Sequence, residues 1–205
     1  IYGSAWYSNN SKGMADLGTI CQALLDAGYA VVTPNHRSSS DALFPGAIND
    51  IKAVVRYIRA NASEYGFDPS FVAVSGFSSG GHLASLAATS GDVAELEGTV
   101  GGNLQFSSAV DAACDWSGPV NPYTINSPMN FGGSSPEEAF IGLPKNKNNE
   151  KAFRAAAAET YIDANDPPTI VFHGEVDNVV PVSQGKELYE ALKQAGVKTE
   201  IHLEP

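Results

Sequence analysis

The chain has 205 residues, of which 43% are hydrophobic and 17% are charged, and its formal net charge is −11. This composition predicts a folded domain with a sizeable core rather than a disordered chain. The net negative charge would not attract nucleic acids or anionic membrane surfaces, so we expect neither as a partner. Neither a cellular compartment nor an oligomeric state follows from it.

The first part of the chain shows strand patterns separated by helix patterns. Residues 1–6 are predicted to be a strand end that runs into a small-residue loop, residues 11–27 a helix, and residues 29–34 a short apolar strand. A second helix is predicted to start at Pro45, where apolar residues recur at helical spacing. Residue 1 is not Met and lies within a strand pattern, and the sequence stops just after another one. We therefore expect a fragment or processed chain that is incomplete at both ends.

A serine between glycines stands where a strand pattern changes into a helix pattern. Residues 71–75 read as a buried strand, and residues 83–88 favour a helix. Gly76 and Gly80 leave room for a turn too sharp for side chains, with Ser78 exposed at the head of the helix. The helix N-terminus supplies N–H groups and a positive dipole end for a developing oxyanion. A nucleophile elbow is favoured over an inert Gly/Ser-rich turn.

The rest of the chain continues the alternation of strands and helices. Strands are predicted at 106–116, 167–174 and 197–203, and helices at 149–159 and 182–195. This order predicts an α/β class of fold, with a mostly parallel sheet and helices on both faces. We expect residues 1–205 to form a single domain.

Two stretches lack such periodicity. Residues 91–105 are acidic and glycine-rich; a calcium site is conceivable there, but the spacing matches no EF-hand loop and favours a solvated loop. Residues 120–147 are predicted to be a loop-rich insertion with a short helix at 136–141. For Cys21 and Cys114 two buried free thiols are favoured, with a disulfide as the alternative. No metal-ligand spacing or dinucleotide fingerprint is present, so we expect neither a metal nor a cofactor.

A serine nucleophile needs a general base, and the base needs a carboxylate that fixes its tautomer. In a parallel sheet such groups gather at the carboxyl ends of the strands. Ser78 lies at such an end, and so does the loop 173–181. That loop carries two carboxylates, Glu175 and Asp177, and Asp177 fits the order of serine followed by acid. The alternative role for Asp177 is that of a turn or helix-capping residue.

Three motifs carry a family resemblance. They are Tyr2-Gly3-Ser4-Ala5-Trp6, Gly76-Phe77-Ser78-Ser79-Gly80-Gly81-His82 and His173-Gly174-x-x-Asp177-x-x-Val180-Pro181. Together they resemble the esterase/lipase branch of the α/β-hydrolase superfamily, and more narrowly its acetyl esterases and feruloyl-esterase-like carboxylesterases. The resemblance runs over nearly the whole chain and implies the α/β-hydrolase fold and ester hydrolysis.

The resemblance also implies roles for single residues. Ser78 would be the nucleophile and Asp177 the acid of the triad. The Ser79 N–H would form half of the oxyanion hole, and the backbone of Gly3 and Ser4 the other half.

The first motif departs from the His-Gly-Gly-Gly type that the family carries at this place. Tyr2 replaces its His, and Ser4 and Ala5 replace glycines. Backbone N–H donors survive such changes, so the expected role of this loop remains.

The general base is the difficult assignment. Of the four histidines, His82 is predicted to pack, His173 resembles a structural position of the family, and His36 lies on a loop. The family places its catalytic His on the loop after the last predicted strand, which implies a base beyond Pro205. His202 follows the acid in the right order but falls within that strand, and it is the alternative base.

The predicted function is a serine carboxylesterase that hydrolyses short-chain, acetyl-type esters, including esters of carbohydrates, through an acyl-enzyme on Ser78. The insertion 120–147 would form one wall of the pocket. A peptidase of the prolyl-oligopeptidase type is one alternative, although the chain has no room for a propeller domain. The other is a catalytically inactive binding protein with this fold.

Overall fold

A computed structural model describes residues 1–205, and its centre is a sheet of four parallel strands in the order β1-β2-β3-β4. The strands are β1 Ala73–Phe77, β2 Ala112–Trp116, β3 Thr169–Gly174 and β4 Thr199–Glu204. Because neighbouring strands are parallel, each connection crosses over the sheet, and helices lie in these crossovers. The predicted α/β class is confirmed.

Seven helices accompany the sheet. They are α1 Ile20–Asp26, α2 Gly46–Ala60, α3 Ala62–Tyr65, α4 Ser79–Thr89, α5 Pro136–Ile141, α6 Glu150–Arg154 and α7 Ser183–Gln194. Every residue of α4 is buried, because this helix packs against β1 and β2 on one side and α2 on another. The element that begins directly after Ser78 is therefore the most enclosed helix of the chain.

The two faces of the sheet differ. Asp115 and Val171 point towards α4 and α7: Ser85 of α4 hydrogen-bonds to Asp115, and Gly185 of α7 contacts Val171. The opposite face carries the stacked rings of Trp116 and Phe172, which are only partly buried. On that side α1 lines a wide cavity that reaches Trp116. Helices thus accompany both faces, as predicted.

The structure corrects several predicted elements. Residues 29–34 form no strand, and Tyr29 and Val32 are about half exposed, because no neighbouring strand pairs with them. Residues 1–3 instead approach the edge of β1, where the Phe77 N–H donates to the Ile1 carbonyl at 3.2 Å. These residues are not assigned to a strand.

Other predicted elements are present but shorter. The helix expected at 11–27 is reduced to α1, preceded by a single 3-10 turn at Lys12–Met14, and Gly18, a poor helix former, lies between them. The strand expected at 106–116 contains only β2, and the helix expected at 149–159 ends at Arg154. The short helix expected at 136–141 is confirmed as α5, with a capping box between Ser135 and Glu138.

One cluster of 25 buried hydrophobic residues extends from the N-terminal loop to α7. It includes Trp6 of that loop and Phe140 of the insertion, so the insertion packs onto the same core as the sheet. Cys21 and Cys114 are both unpaired, as favoured from the sequence, but they are only partly buried: Cys21 lines the cavity and Cys114 lies on the partly covered sheet face of Trp116. None of the helices combines the length and the apolar character needed to cross a lipid bilayer.

Candidate active site

Ser78 occupies a strained turn between β1 and α4. Its φ of 55° and ψ of −124° place a non-glycine residue in a region that costs about 1–3 kcal/mol. A Cβ on Gly76 would collide with the backbone of Gly80, and a Cβ on Gly80 would collide with the carbonyls of residues 1 and 2. Positions 76 and 80, two residues on either side of Ser78, therefore accept only glycine. This is the geometry of a nucleophile elbow.

The loop after Ile1 lies directly against the serine. A Cβ on Gly3 would lie 2.8 Å from the Ser78 Cβ and 2.8 Å from the Phe77 carbonyl oxygen. The Ser78 side chain is partly exposed and makes no hydrogen bond within the chain. The predicted nucleophile and the predicted oxyanion loop are therefore brought together.

The backbone donors near Ser78 differ in their availability. The Ser4 N–H donates to Ser79 Oγ at 2.9 Å, so this predicted oxyanion donor is occupied. The N–H groups of Gly3 and Ala5 have no acceptor within the chain. The Ser79 N–H, as the first of α4, has no acceptor within the helix and lies at the positive end of its dipole. Ala5 is thus a further candidate donor, which the sequence reasoning did not name.

Asp177 is held by its own loop after β3. Its Oδ1 accepts hydrogen bonds from the N–H groups of Val179 and Val180, at 2.8 and 2.9 Å. Its Oδ2 has no partner closer than His173 Nε2 at 3.8 Å, and 21% of the side chain is exposed. One carboxylate oxygen therefore fixes the side chain and the other remains available to orient a base.

Glu175, the alternative acid, is arranged differently. Its backbone N–H donates to the Glu204 carbonyl at 2.7 Å, which ties the loop to β4, but its carboxylate is exposed and makes no hydrogen bond. The geometry favours Asp177 as the held carboxylate.

Three histidines are buried and engaged with the backbone. His36 Nδ1 lies 2.9 Å from the Arg37 carbonyl, and His173 Nε2 lies 2.8 Å from the Val180 carbonyl. His82 Nε2 lies 2.7 Å from the Ala156 carbonyl. The expected packing role of His82 agrees with its complete burial.

His202, the alternative base, lies exposed on β4. Its ring stacks on Phe172 at 4.8 Å between centroids, on the sheet face opposite α4 and α7. None of the four imidazole rings hydrogen-bonds to the side chain of Ser78 or Asp177. The structure thus brings no histidine ring of the chain into contact with either the predicted nucleophile or the predicted acid.

A buried carboxylate supports the elbow from below. Asp115, at the end of β2, accepts hydrogen bonds from Ser85 Oγ at 2.7 Å and from the Gly118 N–H at 2.6 Å. Burial raises the pKa of Asp115. A Cβ on Gly81 would lie 2.5 Å from its Oδ1, so the carboxylate fills the space under the first turn of α4. The only sequence signal for this residue is an acid at a strand end.

A cavity of about 1020 Å³ lies beside β1 and is lined mainly by hydrophobic residues. Gly76 and Phe77 reach it, but Ser78 and Asp177 do not. Its position along the edge of the sheet separates it from the chemical groups described above. No group of three or more His, Cys, Asp or Glu side chains has an arrangement that would hold a metal ion.

The family model described as BD-FAE matches residues 1–192. The chain belongs to the BD-FAE family, among the α/β-hydrolase esterases. Esterase LipQ of Mycobacterium tuberculosis is 31% identical over 204 residues, which make up 100% of this chain and 47% of that protein. The chain thus spans about half the length of the curated relatives it matches.

Solved structures agree with this membership. A truncated carbohydrate esterase from gut microbiota superposes with a TM-score of 0.90 and 37% identity, over 98% of this chain and 74% of that one. A bifunctional GH43-CE protein of Bacteroides eggerthii superposes with a TM-score of 0.91 and 46% identity, over 100% of this chain and 27% of that one. The predicted α/β-hydrolase fold is confirmed.

Proposed function

We propose that this chain carries the nucleophile and the acid of a serine carboxylesterase for short, acetyl-type acyl esters, including esters of carbohydrates. The observation that carries the proposal is the conformation of Ser78, a strained serine at a helix N-terminus with Gly3 packed against it. Strained backbone conformations of this kind cluster at active sites.

In the proposed reaction, Ser78 Oγ attacks the ester carbonyl and gives its proton to a general base. The oxyanion is stabilised by the Ser79 N–H and by N–H groups of the loop 3–5. The alcohol leaves with that proton, and an acyl-enzyme on Ser78 remains. A water molecule, activated by the same base, then releases the acid. Asp177 orients the base through its Oδ2.

The base is proposed to be a histidine outside residues 1–205. The support is that three histidines are buried on backbone carbonyls and that His202 stacks on Phe172. Without a base, we expect only residual catalysis from the oxyanion hole and binding, roughly a thousandfold over water. Adding the natural C-terminal sequence should restore the full rate. A His202→Ala variant of the longer polypeptide should keep that rate, and full activity of residues 1–205 alone would assign the base to His202 instead.

The substrate class draws its support from the relatives and from the insertion. One neighbour is named a carbohydrate esterase, and LipQ is named an esterase. The insertion borders the oxyanion loop at two places: Phe140 stacks on Trp6 at 4.7 Å, and Phe131 stacks on Tyr7 at 4.8 Å. Trp6 and Phe140 are buried in the core, so the aromatic wall of a pocket between this loop and the insertion would come from Tyr7 and Phe131.

A substrate panel tests the proposal on the full-length polypeptide. We expect p-nitrophenyl acetate to be cleaved faster than long-chain esters, and an acetylated oligosaccharide to release acetate. Ser78→Ala should abolish both activities, whereas Ser70→Ala, at an exposed loop serine, should abolish neither. A folded full-length protein without turnover would favour the binding protein, and cleavage of peptides but not esters would favour the peptidase.

A further inference from the structure

Trp6 connects the oxyanion loop to the elbow helix. Its indole is 1% exposed, and its Nε1 lies 3.2 Å from His82 Nδ1. The ring also stacks on Phe140 at 4.7 Å, and its backbone carbonyl accepts a hydrogen bond from the Ser39 N–H at 2.8 Å. A single side chain therefore links the loop to α4 and to the insertion.

The contacts of His82 define its protonation state. An indole N–H only donates, so the imidazole Nδ1 that faces Trp6 must be an unprotonated acceptor. A carbonyl oxygen only accepts, so the Nε2 that faces Ala156 must carry the proton. His82 is a neutral imidazole with both nitrogens used, and burial lowers its pKa to about 4. A second proton would remove the acceptor that holds Trp6.

The segment that Trp6 anchors is a strained turn. The Tyr7 N–H donates to the Ser4 carbonyl at 2.9 Å, and the residues between them, Ala5 and Trp6, have φ values of 51° and 58°. Positive φ at both central positions is typical of type I′ turns, which favour Gly, Asn or Asp. Side chains at such positions cost about 1–3 kcal/mol each. The turn needs an anchor, and the burial and hydrogen bond of Trp6 provide one.

We propose that His82 is a positioning residue of the oxyanion hole, which acts through Trp6. The neutral imidazole accepts from the indole and donates to the Ala156 carbonyl, and this holds the turn Ser4–Tyr7 against α4. Gly3, which packs against Ser78 and has a free N–H, is thereby kept beside the serine. The inference rests on the proposed function, because a positioned oxyanion hole matters only if Ser78 attacks an ester.

The expected signature is a loss in kcat rather than in KM. An oxyanion forms in the transition state and not in the bound ester, so a displaced donor weakens transition-state binding alone. Removing an oxyanion donor outright typically lowers kcat by about 10²–10³. For a donor that is retained but displaced, we expect a loss of about tenfold or more, with KM within about twofold.

The test uses Trp6→Phe in the full-length polypeptide, with Trp116→Phe as the matched control. Trp6→Phe removes the indole N–H but keeps a ring for stacking on Phe140. Trp116, the second of the two tryptophans, also donates one indole hydrogen bond, to Ser75 Oγ at 3.1 Å on the far face of the sheet. A saturating fluorophosphonate measures the fraction of each preparation in which Ser78 can be labelled. The measured kcat is divided by this fraction, so that unfolded protein does not lower it.

We expect Trp6→Phe to lower kcat about tenfold or more and to weaken inhibition by a trifluoromethyl ketone, a transition-state analogue, by the same factor. Trp116→Phe should change neither. His82→Phe, which also loses the indole acceptor, should reproduce the loss, and the double variant should be no worse than either single one.

Two results separate the inference from the proposed function. A wild-type kcat and inhibitor affinity in labelled Trp6→Phe, or a rise in KM alone, would overturn the role of His82 and leave the esterase intact. A wild-type protein with neither turnover nor labelling of Ser78 would overturn the proposed function, and this inference with it.

Discussion

Gly3 packs against Ser78 so closely that a Cβ on the glycine would lie 2.8 Å from the Cβ of the serine. This contact sets the distance between the proposed oxyanion loop and the proposed nucleophile. Replacing Gly3 by Ala must push the loop away from Ser78, because the second obstacle is the Phe77 carbonyl of β1, which cannot move freely.

We predict that Gly3→Ala lowers kcat by about 10²-fold or more, since displaced backbone donors no longer reach the oxyanion. Gly13→Ala is the matched control, because a Cβ there would meet no atom within 4 Å. Steady-state kinetics on both variants with p-nitrophenyl acetate measure the effect. Equal kcat values for the two would show that the loop does not contribute to the transition state.

The triad acid is tested by a pair of substitutions in one loop. Asp177→Asn keeps an oxygen that can accept from Val179 and Val180, so the loop should remain folded, but the base loses its charged partner. We predict a fall in kcat of about 10⁴-fold. Glu175→Gln should have little effect, because that carboxylate is exposed and unbonded. The opposite pattern would assign the acid to Glu175.

The buried His82 makes a prediction about pH. Burial lowers its pKa from 6.5 to about 4, so between these values the unfolded chain binds a proton that the folded chain does not. The free energy of unfolding should therefore fall as the pH falls from 6.5 to 4, by about 3 kcal/mol from this residue. Urea unfolding of His82→Phe should lack this contribution. Parallel pH curves for wild type and variant would refute it.

Two fully buried cations, Lys52 and Arg56, share the carboxylate of Glu97 as their counter-ion. Lys52 Nζ lies 3.3 Å from Glu97 Oε2, and Arg56 pairs with Oε1 of the same carboxylate. We predict that Glu97→Gln destabilises the fold by about 3–5 kcal/mol, because both charges lose their counter-ion inside the protein. Glu150→Gln, which breaks an exposed pair with Arg154, should cost far less, because solvent screens that pair. Chemical denaturation of the two variants compares them, and equal losses would contradict a buried cluster.

The elbow could be predicted from the sequence because its constraint is local. Gly76 and Gly80 are needed wherever a strand turns sharply into a helix, and the structure places Ser78 in that turn with a positive φ. The side chain of Asp177 is also held locally, by residues only two and three positions away, and its role as the acid stays a prediction. Such features require no knowledge of which distant segments meet.

The features that could not be predicted from the sequence depend on contacts between distant residues. The apolar pattern at 29–34 favours a strand, yet a strand needs a partner, and none pairs with it. The Trp6–His82 bond joins residues 76 positions apart, so no spacing rule could reveal it. Asp115 meets Ser85 and Gly118 only because β2 lies under α4.

The central claim is that Ser78 is the nucleophile, and mapping of a covalent adduct tests it most directly. The full-length polypeptide is labelled with a fluorophosphonate, digested, and analysed by mass spectrometry while the loss of activity towards p-nitrophenyl acetate is followed. We predict one adduct, on Ser78, at a stoichiometry that matches the lost activity, and none in Ser78→Ala. An adduct on another residue, or undiminished labelling of Ser78→Ala, would contradict the account.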